Sequence, residues 1–220
     1  MDLTTEGRYR VLGRPRDPDE LLLVELSADA SDSDGGTPPD ESYDPTYVDA
    51  TGYEGDLAAA VDSLAAGNVV DADLTWRDGD PRFADVSVVA ETTFTFADGV
   101  TGMFEAAKQT WMVAEAENEG MNARVTRNTD GDPNGALYVF AKQSGARDLF
   151  EEFRDGVTPL EPLVRRVDVG EGEVEVPPES EQAREVFVLR PADEPFLAVY
   201  IVFDREGMLA TTVRDTYVRD

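Results

Sequence analysis

MNARVTRNTDGDPNGALYVFAK, residues 121–142, decides how the second half of this chain folds. Asp130, Asp132, Asn134 and Gly135 fall on positions 1, 3, 5 and 6 of an EF-hand calcium loop. Such a loop needs helices on both sides and a bidentate Glu at position 12, where this chain has Ala141. Pro133 removes a backbone donor and favours an ordinary turn. The flanks alternate polar and apolar residues with the period of strands. The stretch therefore reads as an antiparallel pair, 121–128 with 136–142, around a six-residue hairpin loop at 130–135. Asp-Gly or Asn-Gly supplies the loop's backbone freedom.

Working outward, RYRVLGR (8–14) and ELLLVEL (20–26) are short strands joined by turn residues. Residues 29–49 hold seven acids and no base, with many Gly, Pro and Ser, and read as a long solvated loop. GDLAAAVDSLAAG (55–67) is a helix with Leu57, Ala60, Val61 and Leu64 on one face. Strands are expected at 68–76 and 84–96, and a helix at about 103–118 that buries Phe104, Ala107, Trp111 and Ala114. A third helix spans 144–156, with Ser144 as N-cap and Gly156 past its end. Further strands are expected near 163–169 and at 184–190, 196–203 and 208–218. With strands dominant, three helices and no βαβ alternation, the class is α+β with mainly antiparallel sheets. The expected division is an N-terminal α+β part, 1–98, and a C-terminal α+β part, 99–220, or one continuous domain.

Composition limits the chemistry. There are 19 basic and 47 acidic residues, a net charge of −28, with no His and no Cys. Disulfides, zinc–thiolate sites and thiol nucleophiles are thereby excluded, along with the commonest acid–base residue. No GxSxG elbow, GxxxxGK[ST] phosphate loop or GxGxxG fingerprint occurs. No cofactor or metal is indicated. Glu115 and Glu119 share a helix face but, in so acidic a chain, read as a solvated surface. The N-terminus lacks an apolar segment, and the longest apolar run, Phe196 to Phe203, is 8 residues. That is far short of the ~20 needed to span a bilayer, so a soluble cytoplasmic protein with no membrane partner is expected.

The hairpin interrupts the acidity. Residues 120–147 carry four bases, Arg124, Arg127, Lys142 and Arg147, against Asp130 and Asp132, leaving 15 bases and 45 acids elsewhere. Four of the five asparagines (118, 122, 128 and 134) fall beside or within this stretch. In strand geometry Asn122, Arg124, Thr126 and Asn128 share one face, a row of donors suited to carboxylates or phosphates. The leading expectation is a non-enzymatic binding or regulatory module. Its anion- or partner-binding surface is at 121–147, using Asn122, Arg124, Arg127, Asn128, Lys142 and Arg147. One alternative is RNA or other nucleic-acid binding through the same hairpin; another is a carboxylate-dependent enzyme. The plain alternative is internal pairing of Arg124 and Arg147 with Asp148, Glu151 or Glu152.

At GMNARVTRN, PNGALYVFA and ARDLFEEFRDG the chain resembles a haloarchaeal family built on a domain of unknown function. The resemblance covers most of the chain. It implies a haloarchaeal origin and a cytosolic location, and supplies no activity, cofactor or catalytic residue. Composition points the same way: two lysines, Lys108 and Lys142, stand against 17 arginines, and Ile201 is the sole isoleucine. At 1 M salt the Debye length is roughly 3 Å, so the self-repulsion of this acidic shell is screened. Far-UV circular dichroism during stepwise dilution of molar salt should therefore show cooperative loss of structure. Unchanged melting in salt-free buffer would contradict this reading.

Overall fold

Leu21, Leu23 and Val48 alternate with outward-facing neighbours, and this period-2 pattern closes the N-terminal strands on one another. The computed structural model describes residues 3–26, 43–77, 79–143, 145, 147–169 and 176–218. The chain divides into two compact units, Met1–Glu91 with Asp155–Pro159, and Thr92–Arg154 with Leu160–Asp220.

The first unit holds β1 (Leu3–Gly13), β2 (Glu20–Glu25), β3 (Thr46–Asp49), α1 (Gly55–Asp62), β4 (Val69–Arg77) and β5 (Asp80–Ala90). The strands close into a barrel in the order β1-β2-β3-β5-β4. All described pairings are antiparallel except β3 with β5, which run parallel where Asp49 meets Arg82. A five-stranded barrel of this order, with its helix between the third and fourth strands, has the layout of the OB-type Greek-key barrels. Val11, Leu23, Val48, Val61 and Val70 fill its interior. Arg10 is buried at 1% exposure and donates from Nη1 to Gly67 O at 2.9 Å, clasping the turn after α1.

The barrel's outer surface is also partly apolar. Leu12 and Leu22 lie beneath Gly156, whose carbonyl accepts a hydrogen bond from the Tyr43 hydroxyl. Burial pushes that phenol up to about 12. Gly156 has φ +69°, and a Cβ there would come within 2.7 Å of Leu22 Cδ2.

The second unit holds β6 (Thr93–Val100), α2 (Glu105–Glu117), β7 (Met121–Arg127), β8 (Pro133–Ala141) and α3 (Leu149–Arg154). These are followed by α4 (Glu161–Val169), β9 (Glu185–Pro191), β10 (Phe196–Val202) and α5 (Met208–Tyr217). Its sheet runs β6-β9-β10-β8-β7, with β6 and β9 parallel and the rest antiparallel. Every residue of β10 is buried because both faces are covered. On one face Leu137, Val139 and Phe187 pack with Ala107 of α2 and Ala210 and Val213 of α5. On the other, Tyr138, Val188 and Ile201 pack with Phe150 and Phe153 of α3 and Val164 of α4.

Several expectations are corrected. The class is α+β, but both sheets are mixed, and there are five helices instead of three among the described residues. The β-branched run expected as a strand at 208–218 is α5, because Ala210, Val213 and Tyr217 bury one helical stripe. The strand expected at 163–169 is α4, where Pro162 sits in the first turn and Leu160, Leu163 and Val164 face the core. The single strand at 84–96 is two, broken at Glu91 and Thr92, where buried Thr92 accepts from the Arg184 backbone N–H. The helix expected at 144–156 is confined to 149–154, and its proposed cap, Ser144, lies outside the described residues. Most of the acidic stretch 29–49 also lies outside them, but its end is β3, with Val48 fully buried.

Gly156 provides a test of this packing. Gly156→Ala should destabilise the protein by about 1–3 kcal/mol, through the left-handed backbone and the Leu22 clash. Urea unfolding in molar salt measures it, and a loss below a few tenths of a kcal/mol would contradict the packing described.

Candidate functional site

The hairpin is built by its own polar side chains. Asn128 Oδ1 accepts from the N–H groups of Asp130 (3.0 Å) and Asp132 (2.8 Å), folding the loop back on itself. Arg127 Nη1 donates to Gly131 O at 2.8 Å. The loop is residues 128–132 and not 130–135, because β8 already begins at Pro133. Of the hairpin's two glycines, Gly131 in the loop takes the left-handed conformation, φ 89°. Gly135 serves a different need. A Cβ there would sit 2.8 Å from the Tyr200 ring and 2.9 Å from Thr126 Oγ1.

The face shared by Asn122, Arg124 and Thr126 lies on the α2 side of the sheet, opposite Val139, Leu137 and Gly135 of β8. It is only partly open. Asn122 Nδ2 donates to Thr110 O of α2 at 3.3 Å, while the Tyr200 hydroxyl donates to Thr126 Oγ1 at 2.9 Å. Thr126 in turn bonds Asn134 Oδ1 at 2.9 Å, and burial raises the Tyr200 hydroxyl above its ordinary range. Arg124 differs: it is exposed, and no described residue hydrogen-bonds or ion-pairs with it.

Lys142 and Arg147 lie past the far end of β8, away from Arg127 and Asn128 at the loop, so the six expected residues do not form one patch. Lys142 Nζ donates to Glu194 O at 2.8 Å and to Pro191 O. Burial, with the nearby Arg190 charge, lowers its pKa. Arg147 grips Glu152 with two bonds, 2.9 and 3.0 Å, one of the internal pairs weighed above.

Arg190, at the end of β9, escaped sequence reasoning. It grips Asp98 at 2.6 and 2.5 Å, reaches Glu151 at 3.1 Å, and also pairs with Asp148. Its guanidinium lies 4.4 Å over the Phe150 ring. The only sequence signal was a base continuing the alternation of Val186 and Val188 to the strand's end. With Lys142, Arg147 and Phe150 it lines a cleft of about 160 Å³. A second hollow, about 320 Å³, is lined by residues 96–101 and 216–218. The titratable groups lining it are Asp98, held below its ordinary range by Arg190, and Tyr217, raised by burial. Both shifts lead away from neutrality, opposite to what acid–base catalysis uses.

Arg16 and Arg82 of the barrel are also engaged. Arg16 stacks 4.1 Å over Tyr47 and grips Glu20, and Arg82 lies over Tyr53 at 4.9 Å while bonding Asp49 at 2.5 Å.

The Asp98 shift carries a pH expectation. A carboxylate with a depressed folded pKa adds stability that is present above its unfolded value and lost as pH falls through the folded one. Arg190→Met should raise the Asp98 pKa in a carboxyl NMR titration. It should also cost about 1–2 kcal/mol near neutral pH, after solvent screening, with the difference shrinking in acid. An unmoved Asp98 titration would contradict the assignment.

The family model for the family of unknown function DUF6663 matches residues 1–220, and the chain belongs to that family. This agrees with the resemblance noted at the hairpin, as far as a domain of unknown function. Neither the comparison with curated proteins nor that with solved structures finds a match. No helix among the described residues is long and apolar enough to cross a membrane.

Proposed function

We propose that this protein is a non-enzymatic binding or regulatory module whose contact surface centres on the β7 side of the 121–147 hairpin. The observation that carries this reading is Arg124, an exposed guanidinium with no partner among the described residues, on a strand free of acids. Arg127, Asn128, Lys142 and Arg147 support it indirectly, since their bonds shape the hairpin and its flanks. Asn122 fixes the strand's start against α2. The partner in this reading is a protein or another anionic molecule that approaches an otherwise acidic chain where acid is lacking. The composition supports a further part of the reading, the cytoplasm of a salt-accumulating archaeon, since 47 acids against 19 bases suit molar salt.

Affinity capture from extract at molar salt tests it, using wild-type protein beside Arg124→Glu and Arg124→Gln, with proteins and RNA both identified. The expected result is a partner retained by the wild type, reduced about tenfold by the Glu variant and less by Gln. Capture that is identical for all three overturns the reading.

A further inference from the structure

β7 and β6 are the two edges of the second unit's sheet, and they are finished differently. β6 is interrupted by a bulge between Asp98 and Val100, with Gly99 at φ 65°, and its Asp98 is drawn onto Arg190. A bulge of this kind blunts an edge against further pairing. β7 keeps register with β8 from Met121 to Thr126, the extra residue at the shift that follows is Asn134 of β8, and β7 itself holds neither bulge, proline nor acid.

The ladder's parity tells which backbone groups of β7 are used. Ala141 N–H bonds Gly120 O at 2.8 Å and Asn128 N–H bonds Asp132 O at 2.9 Å, so the even-numbered residues face β8. The N–H and C=O groups of Met121, Ala123, Val125 and Arg127 therefore point off the sheet. Asn122 Oδ1 already accepts from Ala123 N–H at 2.7 Å. Among the described residues, nothing takes the outward groups of Met121 and Val125.

The side chains divide by the same parity. Met121 and Val125, 36% and 41% exposed, form an apolar row with Ala123 on the face of Ala136, Tyr138 and Phe140. Arg124 projects from the opposite face. An added strand would thus meet apolar surface on one side of the sheet and a guanidinium on the other.

We propose that β7 accepts an extended strand from a partner protein, alternating acidic residues on the Arg124 face with apolar residues over Met121 and Val125. The proposal rests on the reading of the hairpin as the contact surface and adds the partner's chemistry and the manner of docking. Backbone bonds to Met121 and Val125 would provide attachment, and the alternating side chains would provide selection. Charge complementarity decides the occupant. Arg124 has no carboxylate partner among the described residues, and a carboxylate opposite it completes a favourable cross-strand pair.

A second copy of this chain fits worse. Symmetric pairing centred on residue 124 sets Arg124 against Arg124 and Met121 against Arg127. Centred on residue 123, it opposes two Ala123 N–H groups that Asn122 has already taken.

The test uses three acetylated peptides matched to β7 in length. One alternates Val and Glu, one is the same peptide with N-methylated edge amides, and one alternates Val and Lys. Binding is followed by hydrogen exchange at the Met121 and Val125 amides, in salt that keeps the protein folded. The Val-Glu peptide should slow both amides, the other two should not, and Arg124→Glu and Arg124→Gln should weaken binding, Glu by about tenfold. Equal binding of the N-methylated peptide, or binding at 121–147 without amide protection, overturns strand addition while leaving the contact-surface reading intact. Peptide-independent protection with a dimer in sedimentation overturns the choice of occupant. No binding of the Val-Glu peptide overturns this proposal, and if extract capture is also independent of Arg124, the broader reading fails with it.

Discussion

Scarcity of positive charge is the constraint on which the rest of this structure depends. With 19 bases against 47 acids, each base is in demand, and the described ones mostly close a chain segment. Arg10 clasps the turn after α1 through Gly67 O. Arg184, fully buried, donates from Nη2 to Pro177 O at 3.1 Å and from Nη1 toward Val164 O at 3.5 Å. Arg214 ties α5 to the buried Glu185 at 2.7 Å, and Thr95 donates to that carboxylate's other oxygen at 3.0 Å. A planar guanidinium meets two acceptors at once, which an ammonium cannot do in the same plane, and this suits a chain with 17 arginines and two lysines. Both deeply buried arginines bond backbone carbonyls, which engage the cation without adding a second buried charge to desolvate, although the buried Nε of Arg184 has no hydrogen-bond partner among the described residues.

That use of bases gives weight to an exposed base placed on a sheet edge; Arg166 of α4 is also exposed without a partner among the described residues, but lies on a helix. On an ordinary surface an unpaired arginine carries no message, since surface ion pairs are weak and often absent. Here the neighbouring bases Arg127, Lys142 and Arg147 are each drawn onto a carbonyl or carboxylate nearby. Arg124 remains open although the chain carries 47 acids. The strand that bears it is also the sheet edge with no bulge of its own, since the extra residue at the shift between Thr126 and Arg127 lies on β8. Two independent features, charge and unpaired backbone, thus meet on seven residues.

Legibility in the sequence followed the range of the interactions involved. The 121–142 hairpin, the helices at 55 and 103, and the buried strand after Phe196 were readable because local periodicity and turn chemistry set them. Tertiary packing set what was missed. Thr211, Thr212, Val213 and Thr216 favour a strand by composition, yet burial of Ala210, Val213 and Tyr217 makes the segment a helix. β3 has four residues inside a stretch whose composition reads as loop, and only its barrel neighbours reveal it. In the hairpin, sequence identified the turn but not the division of labour between its glycines: Gly131 bends the loop, and Gly135 makes room for Tyr200. The site was readable to the same degree. Strand parity placed Asn122, Arg124 and Thr126 on one face, but not the Thr110 carbonyl and Tyr200 hydroxyl that occupy two of them.

The barrel shows why function here is argued from a site and not from a fold. Barrels with this strand order commonly bind oligonucleotides across the outer face of their second and third strands, with help from the loop between the first and second. In this chain Leu22 of β2 lies beneath Gly156, and the Tyr43 hydroxyl holds that glycine's carbonyl. Arg16, in the first loop, is stacked on Tyr47 and paired with Glu20. The chain's own segment and a carboxylate thus occupy Leu22 and Arg16, two groups on that side of the barrel that a nucleic-acid strand would seek. The fold analogy therefore predicts a ligand face that, among the described residues, this chain covers at Leu22 and Arg16. The open edge at β7, where the Arg124 side chain and the outward backbone groups of Met121 and Val125 lack partners among the described residues, is where the physical argument for binding remains.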